Sequence, residues 1–167
     1  MFTTLNQIRD NSPCTGGWKK LLASLNKTQA DDEPLNISAI IDSNGLNDAL
    51  WALRAVDGKD KEIRLYGVWC ARQVQHLMTD QRSLNALDVA ERFANGEATT
   101  KELYVARSAA CAATTDSAWD STEAARSAVG AACATARSAA WCAADAAAWY
   151  ANGEAAQEAR LREICAN

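Results

Sequence analysis

Residues Asn44–Asp80, NGLNDALWALRAVDGKDKEIRLYGVWCARQVQHLMTD, decide the fold class. An Asn-Gly pair opens the stretch, and Asp57-Gly58 divides it. Between these breaks Leu46, Ala49, Leu50, Leu53 and Val56 recur at helical spacing, which predicts a helix over 46–56 with one buried stripe. A second helix is predicted over 59–78. Its acids Asp60 and Glu62 lie in the first turn, where the free N–H groups of a helix favour negative charge. One of its faces carries Ile63, Tyr66, Cys70, Val74 and Leu77. The adjacent face carries Leu65, Val68, Trp69, Arg72 and His76. A helix apolar over more than half its circumference packs on two sides.

Upstream, the pattern predicts shorter helices separated by breakers. Leu5 and Ile8 mark a helix over 3–9 capped by Thr3 or Thr4. Asn11, Pro13, Gly16 and Gly17 make a loop, and Trp18, Leu21, Leu22 and Leu25 define a helix over 18–26. A further helix is predicted from Leu35 to the stop at Asn44-Gly45. The β-branched content of 36–41 also suits a strand, but no second convincing strand exists to pair with it.

Downstream, Ser83 is the expected cap of a helix carrying Leu84, Leu87, Ala90 and Phe93, which stops at Asn95-Gly96. Thr99 or Thr100 caps the next helix. Repeats then appear. ALDVAERFANGEA (86–98) aligns with AADAAAWYANGEA (143–155), and ARSA begins at Ala106, Ala125 and Ala136. Cys111 and Trp119 recur 22 residues later as Cys133 and Trp141. That is two elevens, a period that keeps residues on one side of a helix. Alanine forms helices well but buries little area, so Trp119, Trp141 and Trp149 are expected to fill the core. The chain of 167 residues thus reads as a single all-α domain of about eight helices, a bundle or short α-solenoid-like stack. Its parts are residues 1–45 with short helices, 46–98 with the central helices, and 99–167 with the Ala/Trp-rich repeat.

Composition excludes several functions. A formal net charge of −4 with scattered cations argues against direct nucleic-acid binding. The opening MFTTLNQIRDNSPC has no basic segment followed by an apolar run, and Arg126, Arg137 and Asp145 interrupt the alanine tract. Neither a targeting signal nor a membrane span is expected, and the chain reads as a cytoplasmic protein. The six cysteines form no CxxC and His76 is the only histidine. No metal or cofactor is expected, and the thiols read as reduced, small and buried.

One constellation carries functional potential: Trp51, Arg54, Arg64, Trp69, Arg72 and His76. Trp69, Arg72 and His76 fall three and four residues apart, on one helical edge. Arginine forks match carboxylates and phosphates, and Trp and Arg dominate protein interfaces. The competing account makes Trp69 a core residue and pairs Arg72 with an acid such as Asp88 or Glu91. Histidine is a common acid–base residue, but no nucleophile, glycine-rich phosphate loop or HExxH accompanies His76.

The segments SPCTGGWKKLL, SNGLNDALWALRAV, EIRLYGVWCARQVQHLM and ALDVAERFANGEAT, followed by the Ala/Trp-rich tail, resemble a family of small proteins of tailed phages and bacteria. These are labelled immunity proteins of the immunity-protein-five-like kind. The resemblance implies a non-catalytic protein that neutralises a protein effector, a toxin or a component of host defence, by binding it. The alternative is a sponge holding a nucleotide-like ligand in a Trp/Arg-lined pocket, with a homo-oligomer interface as one place for it. A small enzyme using His76 ranks last.

Overall fold

The glycine breaks fall where helices stop. Gly45, Gly58 and Gly96 all take positive φ, at 96°, 70° and 79°, a region that a side chain disfavours. The computed structural model describes residues 1–115, 119–133, 136–148 and 153–166. Within these, the side chains of 115, 119–123, 137, 141 and 146–148 lie outside the description. The fold is all-α, with ten α-helices among the described residues rather than about eight. Contacts divide the chain into two compact units, Met1–Lys59 with Glu158–Asn167, and Asp60–Gln157. The chain passes between the units after Lys59 and again after Gln157.

In the first unit, β1 (Phe2–Thr3) pairs antiparallel with β2 (Leu35–Asn36). The strand signal near Asn36 is thus genuine for two residues. Helix α1 (Leu5–Asp10) is capped by Thr4, whose hydroxyl accepts from the Gln7 N–H at 3.1 Å. Helix α2 (Thr15–Ser24) begins three residues before Trp18 because the Cys14 sulfur accepts from Gly17 N–H at 3.3 Å. The remaining helices are α3 (Ile37–Asn44) and α4 (Leu46–Ala52), which runs into a 3₁₀ turn at Leu53–Ala55. The whole predicted stripe of Leu46, Ala49, Leu50, Leu53 and Val56 is buried. The Thr3 hydroxyl, also buried, donates to Ala55 O at 2.6 Å. Most of α10 (Gly153–Ala166) groups here, held by a Met1 N to Cys165 O hydrogen bond of 2.7 Å and an Arg162–Asp42 ion pair of 2.7 Å.

The second unit is built on α5 (Asp60–Gln73). The helices α6 (Gln81–Ala94), α8 (Trp119–Ala131) and α9 (Ala136–Ala148) pack against it, and α7 (Thr100–Thr115) packs on α6 and α8. Among the described residues, Tyr66, Ile63, Leu87 and Leu103 are its largest fully buried side chains. Burying each contributes roughly 1.5–3 kcal/mol. Between them lies a small-residue interior from Ala124, Ala128, Ala139, Ala140 and Ala143, all fully buried. The 86–98 and 143–155 repeat keeps its register at its start. Ala86 and Ala143 are buried while Asp88 and Asp145 are exposed.

Several expectations need correction. Helix α5 stops at Gln73, and a separate 3₁₀ turn covers Gln75–Leu77, because Val74 leaves the helical region at φ −111°, ψ 6°. Cys111 lies in α7 and Cys133 follows α8, so the 22-residue spacing crosses a helix break and marks no common face. Cys14, Cys111 and Cys142 are exposed, leaving only three of the six thiols buried. The expected core role of Trp119, Trp141 and Trp149 concerns side chains outside the described residues.

Ser83 is not the cap of α6. Asp80 is, and Ser83 sits inside the helix, fully buried. The Asp80 carboxylate accepts from Arg82 N–H at 2.8 Å and from the Arg82 guanidinium at 2.6 Å. The guanidinium and backbone hydrogen bonds hold the Asp80 carboxyl down to about 2. A depressed carboxylate stabilises the fold above the ordinary carboxylate range, and that contribution disappears as pH falls through about 2. The difference in thermal midpoint between wild type and Asp80→Asn is therefore expected above pH ~4 and should shrink below it. A side-chain carboxyl NMR titration of Asp80 with an ordinary midpoint would contradict this.

Candidate functional site

The six residues of the sequence-derived constellation are distributed over both units. Trp51 and Arg54 belong to the first, and Arg64, Trp69, Arg72 and His76 to the second. In the first unit the 3₁₀ turn after α4 brings Arg54 back over Trp51. The guanidinium lies 4.6 Å from the ring centroid, and Nε donates to Trp51 O at 2.9 Å. This local cation–π contact covers one face of the indole with the chain's own arginine.

In the second unit the four residues have different surroundings. Arg64 is only 3% exposed, so it is withdrawn from any partner-facing surface. Its Nη1 donates to Cys133 O at 2.6 Å and Ala131 O at 3.4 Å, and its guanidinium stands 4.9 Å from the Phe93 ring centroid. Arg64 thus caps the C-terminus of α8, where free carbonyls and the helix dipole favour a cation. Its burial lowers its pKa, yet a guanidinium remains charged in proteins.

Trp69 is half-buried and stacks on Tyr66, with centroids 6.3 Å apart and planes at 25°. Arg72 makes the ion pairs that the competing account named. Its Nη2 lies 2.8 Å from Asp88 Oδ1 and 2.9 Å from Glu91 Oε2, and Nη1 donates to Gln75 at 3.0 Å. His76 is exposed in the 3₁₀ turn, off the helix that carries Trp69 and Arg72. The single helical edge expected for Trp69, Arg72 and His76 therefore breaks at Val74.

Two features outside that constellation have more chemical potential. On α7, Leu103, Ala106, Ala110 and Ala113 form the buried stripe. Tyr104 and Val105 fall outside it, exposed by 68% and 58%, and Ser108, Cys111 and Ala112 continue the same outer side. The three- and four-residue spacing of the inner stripe was the signal that would have placed Tyr104 and Val105 outside. The second feature is the close approach of α8 to α9, where a Cβ on Gly130 would stand 2.9 Å from Cys142 Cβ, which no local spacing encodes.

Among the described residues no cluster of three or more His, Cys, Asp or Glu side chains could hold a metal ion, and no helix is long and apolar enough to cross a membrane. Compared with protein-family models, curated proteins and solved structures, the chain matches none.

Proposed function

We propose that the protein is a non-catalytic binding protein that neutralises a protein effector, and that the outer side of α7 is its contact surface. The observation that carries this reading is the pair of large exposed side chains Tyr104 and Val105 on a helix whose inner stripe is already satisfied. Tyrosine is among the residue types that anchor protein contacts. Lys101 at the start of the same side supplies a charged rim. The resemblance to immunity proteins read from the sequence segments implies the same class of function.

The test is affinity capture from host-cell extract with the tagged full chain, alongside a Tyr104→Ala/Val105→Asp double variant. The wild-type chain is expected to retain a protein that the double variant binds at least ~30-fold more weakly, since a central aromatic anchor carries roughly 2 kcal/mol or more. Far-UV circular dichroism should be unchanged, because both side chains are exposed. His76→Ala is expected to retain the partner. Recovery of no protein above background, with a nucleotide released from the purified chain, would favour the ligand-sponge alternative instead.

A further inference from the structure

Among the described residues two Asn-Gly bonds end helices, Asn44–Gly45 at α3 and Asn95–Gly96 at α6. Such a bond is chemically weak, because glycine has no side chain to keep its nitrogen away from the asparagine amide. The fold treats the two differently. Asn44 is half-buried and still helical, as the last residue of α3. Its Nδ2 donates to Gly17 O at 2.9 Å and to Asp48 Oδ2 at 2.7 Å, and its Oδ1 accepts from the Ser43 hydroxyl at 2.8 Å. Gly45 donates to Ile41 O at 2.9 Å and accepts from Ala49 N–H at 3.2 Å, so it is tied into the helices on both sides. Turning the Asn44 amide toward the Gly45 nitrogen breaks most of these bonds together.

Asn95 is exposed, and its side chain makes no hydrogen bond among the described residues. Gly96 and Glu97 are exposed as well. Asn95 takes φ −85° and ψ −1°, and Gly96 takes φ 79°. Two hydrogen bonds close the end of α6 here, Gly96 N–H to Phe93 O at 3.1 Å and Glu97 N–H to Arg92 O at 2.8 Å. They belong to a solvent-facing last turn, the part of a helix that frays first. Once that turn opens, rotation about ψ of Asn95 carries the Gly96 nitrogen to Asn95 Cγ.

We propose that Asn95 is a self-modification site, where the Asn95–Gly96 bond converts to aspartyl and isoaspartyl forms while the fold keeps Asn44–Gly45 intact. The Gly96 nitrogen attacks Asn95 Cγ. A C–N bond forms, the Cγ–Nδ2 bond breaks, and the departing Nδ2 takes the Gly96 proton and leaves as ammonia. Water opens the resulting succinimide. Addition at Cγ gives aspartate, and addition at the backbone carbonyl carbon gives isoaspartate. One water is consumed and one ammonia is released. Either product sets a new carboxylate at the C-terminus of α6, where the helix dipole disfavours it. The isoaspartyl form also adds a methylene to the main chain, so the Phe93 and Arg92 carbonyls cannot both keep their donors. Arg92 donates to Glu97 O at 3.0 Å and reaches Glu102 Oε1 of α7 at 3.6 Å, so the change loosens the turn into α7.

The experiment ages the full folded chain in mildly alkaline buffer made with heavy-oxygen water, which labels each new carboxyl. Peptides are then mapped in acid by mass spectrometry, with fragmentation that separates aspartate from isoaspartate. Asn95 is expected to convert on the order of tenfold or more faster than Asn44, the factor that the extra side-chain hydrogen bonds of Asn44 impose on opening. In the urea-unfolded chain the two rates should converge, because both are then flexible Asn-Gly pairs. Conversion of Asn44 as fast as Asn95 in the folded chain overturns the proposal. So does an Asn95 that survives folded over a period in which the unfolded chain converts, or a rate ratio that persists in urea.

Discussion

Replacing Gly67 by alanine is expected to lower the stability of the second unit by roughly 3 kcal/mol. This reverses the usual helix rule, because alanine in an open helix interior is favoured over glycine by about 1 kcal/mol. The difference lies in what the new methyl would meet. A Cβ on Gly67 would stand 2.7 Å from Ala139 O, 2.8 Å from Ala139 C and 3.0 Å from Ala140 N. These are backbone atoms of a neighbouring helix, so no rotamer change relieves the overlap, and α5 and α9 must separate. Separation also loosens the alanine contacts along the seam, where individually small dispersion terms fall off steeply with distance. Gly130 repeats the arrangement against Ala143 N at 2.7 Å and Cys142 C at 2.8 Å, so Gly130→Ala should behave alike. Gly16 in α2 is the control, because nothing lies within 4 Å of where its methyl would stand. Gly16→Ala is expected to be neutral or to stabilise by up to about 1 kcal/mol. Thermal unfolding of the full-length variants checks all three. The expected fall for Gly67→Ala is roughly 6–12 °C at this chain length. A Gly67→Ala variant that melts at or above the wild-type midpoint would refute the close-seam account.

The same contrast shows what the residues alone could reveal. Helix type and the Asn-Gly stops at Gly45 and Gly96 were legible because they are local: a period of three and four, and a residue that tolerates positive φ. The stripe from Leu46 to Val56 was legible for the same reason. Gly67 carried no such mark. It reads as a weak point in a helix until a second helix, far along the chain, is laid against it. The 22-residue repeat misled because alanine-rich helices of any register look alike, and the breaks between α7, α8 and α9 carry no proline to announce them. The exposed thiols were missed on similar grounds. A cysteine's average preference for the interior says nothing of which side of an alanine helix faces out. The pairing of Arg72 with Asp88 and Glu91 was legible, because the acids lie on the next helix, but the burial of Arg64 was not, because its acceptors Ala131 and Cys133 lie far along the chain.

Their fates separate in a second test. Arg64→Met is expected to destabilise the protein by about 3 kcal/mol, and Arg72→Met by no more than about 1 kcal/mol. Arg64 is buried, and its Nη1 serves the carbonyls of Ala131 and Cys133 at the end of α8. Methionine keeps much of the stem but leaves those acceptors in the interior with no donor, and desolvated acceptors are what makes such losses large. Arg72 faces Asp88 and Glu91, with its own side chain 30% and theirs 58% and 47% exposed. Water replaces much of what its loss removes, and salt weakens the pairs further. Urea unfolding of both variants at low and high ionic strength distinguishes the two cases. The Arg64 difference should persist in salt while the Arg72 difference fades. Arg64→Lys should fall between wild type and Met, because one ammonium cannot both reach the α8 carbonyls and stack on Phe93. A double-mutant cycle with Phe93→Leu should return a coupling of about 1 kcal/mol for that stacking. Equal small losses for Arg64→Met and Arg72→Met would mean that Arg64 is solvated, and the capping role assigned to it would fail.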